Sequence, residues 1–261
     1  EYGFRCTNEA MQIMGGEGYM AENELERLWR DSRINPIVEG ANEVMHSFIF
    51  AYGSKQLAEF MLGVKSAPFK NLGAAIRIGL ELFLGVQKRA PKFSKLDKSL
   101  QEHEIAISNL IREFSHQVKL MCKEKEDAII TNQTTQYRLS WIAIWIHAML
   151  CSISKIDMTI RNGADEKQLM HDRAMVDFIM SYGTYKINGW LRALRQNPDA
   201  TMLRAAKEAW DFGETLPNSE YYIPERTPDM EARGSGISCD KENIKQFGSG
   251  SLYLEQEVAS H

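Results

Sequence analysis

Apolar residues recur at spacings of three and four along most of this chain, and no stretch alternates with the period of two that marks a half-buried strand. Residues 1–14 read as the end of a helix, with Phe4, Ala10, Met11 and Met14 in phase, and Gly15, Gly16 and Gly18 break it. Glu22–Arg33 reads as helical again, with Leu25, Leu28 and Trp29 on one face. Pro36 ends it and biases Asn35 away from helical angles. A short loop, Ile37–Gly40, leads into a helix over Asn42–Leu62. Beyond a glycine- and lysine-rich stretch, the spacing predicts helices over 100–126, 134–162 and 165–196. Asp165 is the expected N-cap of the last, with Gln168 three residues on as its capping-box partner. Pro198 precedes a short helix over Asp199–Phe212. The predicted fold class is all-α, as two packed helical bundles.

The expected organisation is four segments: 1–62 as the end of one helical domain, 63–99 as a linker or amphipathic segment, 100–216 as an additional helical domain, and 217–261 as an irregular tail rich in Pro, Gly, Ser and charge. The chain opens at Glu1 with a helical pattern already running. It is therefore expected to be a fragment, or a chain cut from something longer. At 261 residues it is long enough for a sizeable core. The formal net charge of -4 argues against nucleic acid as the main partner, because no basic excess is present to neutralise phosphates. Cys6, Cys122, Cys151 and Cys239 form no metal-ligand pair and no disulfide framework, which fits a reducing compartment, with Cys122 and Cys151 expected in the core. The six histidines are scattered, His147 is expected to be a satisfied core histidine, and no metal is expected. No uninterrupted apolar run is long enough to read as a membrane-spanning helix.

Residues 10–45 carry the candidate chemistry. Glu39 sits on a loop beside Gly40, just ahead of a helix and after apolar Ile37 and Val38. A carboxylate in apolar surroundings is a stronger base, because desolvation disfavours its charged form. The alternative from the residues alone is a solvated carboxylate that only complements a helix dipole. Gly15, Gly16 and Gly18 by themselves mark a turn, and they do not form the glycine pattern of a dinucleotide-binding strand–turn–helix unit.

The order of these features resembles the carboxyl-terminal domain of the acyl-CoA dehydrogenases: Gln12-Ile13, then Gly15-Gly16-Glu17-Gly18-Tyr19, then Glu26–Ile34 as ERLWRDSRI, then Glu39-Gly40, with consistent spacing over about 40 residues. A softer likeness to the very-long-chain branch runs through Thr131-Asn132-Gln133 and Tyr137-Arg138-Leu139. The resemblance implies FAD-dependent α,β-dehydrogenation of long-chain acyl-CoA thioesters to trans-2-enoyl-CoA. Glu39 would take the proton next to the thioester carbonyl, while hydride leaves the neighbouring carbon for the flavin. It implies that Gln12, Gly15 and Gly16 touch the FAD diphosphate of a neighbouring subunit, that Gly40 lets substrate and flavin stack closely, and that Ala41 and Glu43 lie against the cofactor. Ala41 departs from the threonine usual in the family, which leaves only a backbone donor there. Arg27, Arg30, Asp31 and Arg33 are expected to form ion pairs that fix the loop. The implied partners are acyl-CoA, an electron-transfer flavoprotein and a second copy in a homodimer, with no nucleic acid. The implied location is the mitochondrial matrix or inner-membrane face in a eukaryote, and the cytoplasm in a bacterium.

Residues 69–93 can place Leu72, Ala75, Ile76, Leu80, Phe83 and Leu84 on one face, flanked by Lys70, Arg77, Lys88, Arg89 and Lys92. That is the pattern of an interfacial helix, and in the very-long-chain branch the corresponding region is associated with membrane docking. The alternative is a linker helix packed on its own bundle. A non-catalytic module for dimerisation, membrane docking or assembly remains the competing function.

Overall fold

The structure is a computed structural model that describes residues 1–67, 71–93 and 95–215. Among the described residues there are helices and turns but no strand, so the all-α expectation holds. The expected irregular tail 217–261, Cys239 and Lys70 lie outside the described residues. In chain order the helices are α1 (Tyr2–Met14), α2 (Gly16–Tyr19), α3 (Glu24–Arg33), α4 (Asn42–Ser66), α5 (Leu72–Leu84), α6 (Gln101–Lys125), α7 (Gln133–Arg161), α8 (Glu166–Arg195) and α9 (Asp199–Thr215). Residues 1–199 form one compact unit, and the described residues from Ala200 onward fall outside it.

Local chemistry sets most helix starts. Asn23, Asn132 and Asp165 each accept a backbone N–H of the first turn through the side chain, satisfying donors that have no partner within the helix. Gln168 does not complete a capping box at α8. Its backbone N–H reaches Asp165 Oδ1 at 2.8 Å, but its side chain turns forward to Asp172 Oδ1 at 2.9 Å.

In the first unit α7 packs against α4, α6 and α8. Leu139, Ile142, Ile146, Met149, Ile153 and Ile156 alternate at spacings of three and four and are buried. Ile107 of α6 and Ile187 of α8 meet them in the same core. By length and composition α7 is also apolar enough to cross a membrane, although no uninterrupted apolar run announces it; in this unit its apolar stripe is the centre of the bundle. His147 and Cys151 lie off that stripe. Both are exposed, 3.6 Å apart, so neither is the core residue that the apolar sequence around them suggests. Cys122 is half-buried, and burial pushes its thiol pKa up.

α4 does not stop near residue 62 but runs through Gly63 to Ser66. It is fixed to α7 by a buried polar contact: His46 Nδ1 lies 2.6 Å from Ser140 Oγ, and Ser140 donates its own proton to the Tyr137 carbonyl at 2.9 Å. With that proton committed, Nδ1–H of a neutral His46 is the donor. Tyr137 and Trp141 close around the ring, with centroids 4.5 and 5.1 Å away.

α5 is amphipathic in the reverse sense. Glu81 is 2% exposed and pairs with buried Lys119 of α6 at 2.6 Å, while Leu72, Ile76, Leu80, Phe83 and Leu84 are exposed.

Candidate active site

The loop carrying Glu39 is closed by its own backbone. The amides of Ile37 and Val38 both donate to Ile34 O at 2.9 Å, extending the end of α3, and Asn42 N donates to Pro36 O at 3.0 Å. Bringing the chain round between these bonds puts two consecutive residues at positive φ, Glu39 at 57° and Gly40 at 101°. For glycine this costs little. For glutamate it places Cβ against the carbonyl, at about 1–2 kcal/mol. A Cβ at Gly40 would also meet Met45 Sδ at 3.3 Å. Backbone strain of this kind at a polar residue is a feature of ligand clamps and active sites.

Glu39 is exposed, and Ile37 and Val38 are about half exposed, at 52% and 49%. The apolar enclosure expected from their order in sequence is therefore not made by these neighbours. The loop presents the carboxylate outward on a strained backbone.

α4 begins immediately afterwards. Ala41 is its N-cap and supplies no side-chain acceptor, so by helical geometry the amides of Glu43 and Val44 have no partner within the helix. Asn42 Nδ2 reaches Glu1 Oε2 at 3.4 Å, tying the start of α4 to the start of α1.

Gln12, Gly15 and Gly16 sit at the far end of α1, roughly 20 Å along its axis from that contact. The two groups of predicted site residues are thus separate patches. Gly15 ends α1 at φ 60°, ψ -143°, a conformation for glycine alone, and a Cβ built on Gly15 or Gly16 would meet nothing within 4 Å. Their backbone is open to close approach, and Gln12 beside them is exposed. The glycine that packing demands is Gly18, which is buried: a Cβ there would lie 2.7 Å from Met14 Cβ. Only the tightness of the turn between α1 and α2 reveals its role.

The charged helix α3 behaves differently from expectation. Arg27 pairs with Glu24 at 3.5 Å and Arg30 with Glu26 at 3.4 Å, both within the helix, and Arg33 lies over the Phe4 ring at 5.6 Å. Trp29 Nε1 donates to Asn8 Oδ1 at 3.1 Å, and the Thr7 and Ser32 hydroxyls are 2.8 Å apart. The Arg pairs stay within α3, and the side-chain contacts of α3 run to α1, with no ion pair from these residues to the Glu39 loop among the described residues. Local spacing of three and four favours just such pairs.

Residues 1–52, which contain every one of these candidates, match the family model described as acyl-CoA dehydrogenase, C-terminal domain. The very long-chain specific acyl-CoA dehydrogenase, mitochondrial, of Homo sapiens is 29% identical over 209 residues, covering 76% of this chain and 31% of that protein. Its Bos taurus counterpart is 30% identical over 210 residues, with the same coverage. The chain therefore spans about a third of the length of these curated relatives. An acyl-CoA dehydrogenase from Bacillus anthracis, solved as a complex with FAD, shares the fold at a TM-score of 0.56 and 21% identity, over 87% of this chain and 36% of that one. The ordered glycine turn, charged helix and Glu39 loop all lie in the stretch matched to the acyl-CoA dehydrogenase C-terminal domain, and most of the chain is similar to very long-chain members of that family.

Proposed function

We propose that this chain contributes the catalytic base to an FAD-dependent acyl-CoA dehydrogenase acting on long acyl chains, as part of a longer protein. The observation that carries the reading is Glu39, held exposed at φ 57° beside Gly40 in the stretch matched to the family. Its carboxylate takes the proton from the carbon next to the thioester carbonyl. Bound acyl-CoA, together with the remainder of the site, covers Ile37 and Val38 and strips water from the carboxylate, which strengthens it as a base. FAD, when bound, supplies the acceptor for the electron pair that leaves the neighbouring carbon. The residues present fit FAD at two edges: the open backbone at Gly15 and Gly16 suits close approach of a diphosphate, and the unpartnered amides at the start of α4, beside Ala41 and Glu43, offer donors. Gln12, exposed beside these glycines, would hold the same diphosphate, in a second copy of the protein within a homodimer. The reduced cofactor passes its electrons to an electron-transfer flavoprotein, and the mitochondrial relatives favour a mitochondrial location in a eukaryote. Anaerobic addition of palmitoyl-CoA to the full-length protein tests this. Flavin absorbance at the oxidised band bleaches in wild type, and stays unbleached in Glu39→Gln despite ligand binding. Bleaching in the variant refutes the role of Glu39.

A second reading concerns α5 and can hold together with the first. We infer that α5 docks the protein on a membrane surface, because its apolar side faces outward and its one carboxylate faces in. Arg77, Lys88, Arg89 and Lys92 are exposed on or just beyond the helix, where anionic headgroups would meet them. The competing non-catalytic module would rest on this face alone. Co-sedimentation with vesicles containing cardiolipin, lost in Leu80→Glu/Phe83→Glu but retained in Glu39→Gln, separates docking from catalysis.

A further inference from the structure

A cavity of about 730 Å³ lies between the segment after α5 and the α6–α7 pair, lined by none of the residues placed at the Glu39 loop. That volume lies within the range of small-molecule sites. Its character changes steadily from one end to the other. Ile107 of α6 and Leu150 and Ile153 of α7 form the apolar end, and both isoleucines belong to the buried core. About two turns further along α7, Asp157 and Arg161 form the polar end, where Lys92 and Lys95 join from the other side. From Leu150 to Arg161 the lining follows α7 for about 16 Å.

The charges at the polar end do not cancel. Asp157 is already engaged, by Arg161 Nε and by Asp97 N, each at 2.8 Å, and Arg161 also donates to the Lys95 carbonyl. The other acid in the lining, Glu104, accepts Phe93 N at 2.8 Å. Both carboxylates are thus spent on holding Phe93 and Asp97 beside the cavity. The ammonium groups of Lys92 and Lys95 have no acidic partner among the described residues, and both side chains are exposed. A narrow aliphatic trough that ends in uncompensated positive charge matches an unbranched hydrocarbon chain with an anionic head. Between the two ends the lining on α7 offers a single small polar side chain, Ser154, too little for a ligand with hydrogen-bonding groups along its length.

We propose that this trough is a second, non-catalytic site that binds one free long-chain fatty acid. The carboxylate lies at Lys92, Lys95 and Arg161, and the tail runs towards Ile107 and Leu150. The site does not depend on the role of Glu39, and it survives or fails separately.

The test uses full-length protein, with its catalytic site saturated by a non-oxidisable acyl-CoA analogue, and palmitate bearing a photoreactive diazirine near the tail end. Wild type takes up one palmitate per chain saturably, and cross-links map by mass spectrometry to peptides containing Ile107 or Leu150–Ile153. Ser154→Trp, at an exposed position in the lining, fills the trough and removes the cross-link without touching the core. Lys92→Glu/Lys95→Glu weakens palmitate binding about tenfold, the size expected for reversing two exposed charges beside a carboxylate. Hexadecanol, with the same chain and no charge, binds more weakly than palmitate to wild type, and equally weakly to the double variant. Cross-links that fall only elsewhere, or that persist in Ser154→Trp, overturn the proposal. Equal affinity for palmitate and hexadecanol in wild type overturns it as well.

Discussion

Replacing Glu39 by glycine removes the carboxylate and, in the same step, the Cβ that strains the backbone at φ 57°. The left-handed conformation costs an L-residue about 1–2 kcal/mol, which glycine does not incur. Glycine also gives the unfolded chain more freedom, which offsets about 0.4–1 kcal/mol of that gain. Because Glu39 is exposed and makes no hydrogen bond among the described residues, no side-chain contact has to be subtracted. The balance is a stabilisation of between about 0 and 1.6 kcal/mol, an upward Tm shift of at most roughly 3–6 °C for a unit of this size. Glu39→Ala is the control, since alanine keeps the Cβ and the strain, and its stability stays within about 0.5 kcal/mol of wild type. Both variants fail to bleach flavin with palmitoyl-CoA. Urea unfolding of the full-length proteins, followed by helical dichroism, measures the stability term, and anaerobic absorbance measures the chemistry. If Glu39→Gly is less stable than Glu39→Ala, the left-handed conformation is not the native one. If Glu39→Gly reduces flavin at the wild-type rate, the carboxylate is not the base.

Three other perturbations follow from the same geometry. Ala41→Thr gives α4 an N-cap acceptor for the amide of Glu43 or Val44 and should stabilise by about 1 kcal/mol, read as a higher urea midpoint; an unchanged midpoint means that the amides are already satisfied. Lys119→Met leaves buried Glu81 with only the His116 ring, 3.6 Å away, and should cost up to about 3–5 kcal/mol, most of it recovered in Glu81→Gln/Lys119→Met, so a single variant as stable as the double one refutes the buried pair. Burial depresses the pKa of His46, so its contribution to stability is complete above its unfolded value near 6.5 and is lost as pH falls from there through the folded value. Urea midpoints measured from pH 8 down to pH 5 should fall more steeply in wild type than in His46→Asn, which keeps a donor for Ser140 but does not titrate.

Helix positions were legible wherever their causes are local. Asp165 caps its helix by a contact three residues away, as its sequence suggests, and Pro36 and Pro198 mark breaks by the geometry of their own rings; Asn23 and Asn132 cap by equally local contacts that the apolar spacing leaves unmarked. The exposure of His147 and Cys151 was legible in principle: the stripe Leu139, Ile142, Ile146, Met149, Ile153, Ile156 fixes the phase of α7, and both residues fall off it. Overall hydrophobicity of the segment hid that phase. The continuation of α4 through Gly63 was not legible, because glycine is a poor helix former and the decision is made by packing rather than propensity. At the site, the order of residues marked out the Glu39 loop, but the exposure of Glu39 depends on groups remote in sequence. The strain at φ 57° leaves no mark in composition at all, since nothing about glutamate announces a left-handed backbone.

α5 shows why periodicity reports a face and not a direction. The spacing of Leu72, Ile76, Leu80 and Phe83 defines an apolar stripe, and the usual inference turns such a stripe inward. Here it faces out, and the reason lies 38 residues away, where Lys119 holds Glu81 inside at 2.6 Å. Rolling the helix by half a turn would bury five large apolar side chains, each worth about 1 kcal/mol even from half exposure. Against that gain of roughly 5 kcal/mol stands a buried charge left without its partner, at about 3–5 kcal/mol. The two nearly cancel, and Lys123, whose ammonium lies 3.5 Å over the Phe83 ring and reaches the Leu82 carbonyl at 3.4 Å, adds to the outward side. An apolar surface meeting this face from outside would add to the same side of the balance, which is the energetic content of the membrane docking proposed for α5.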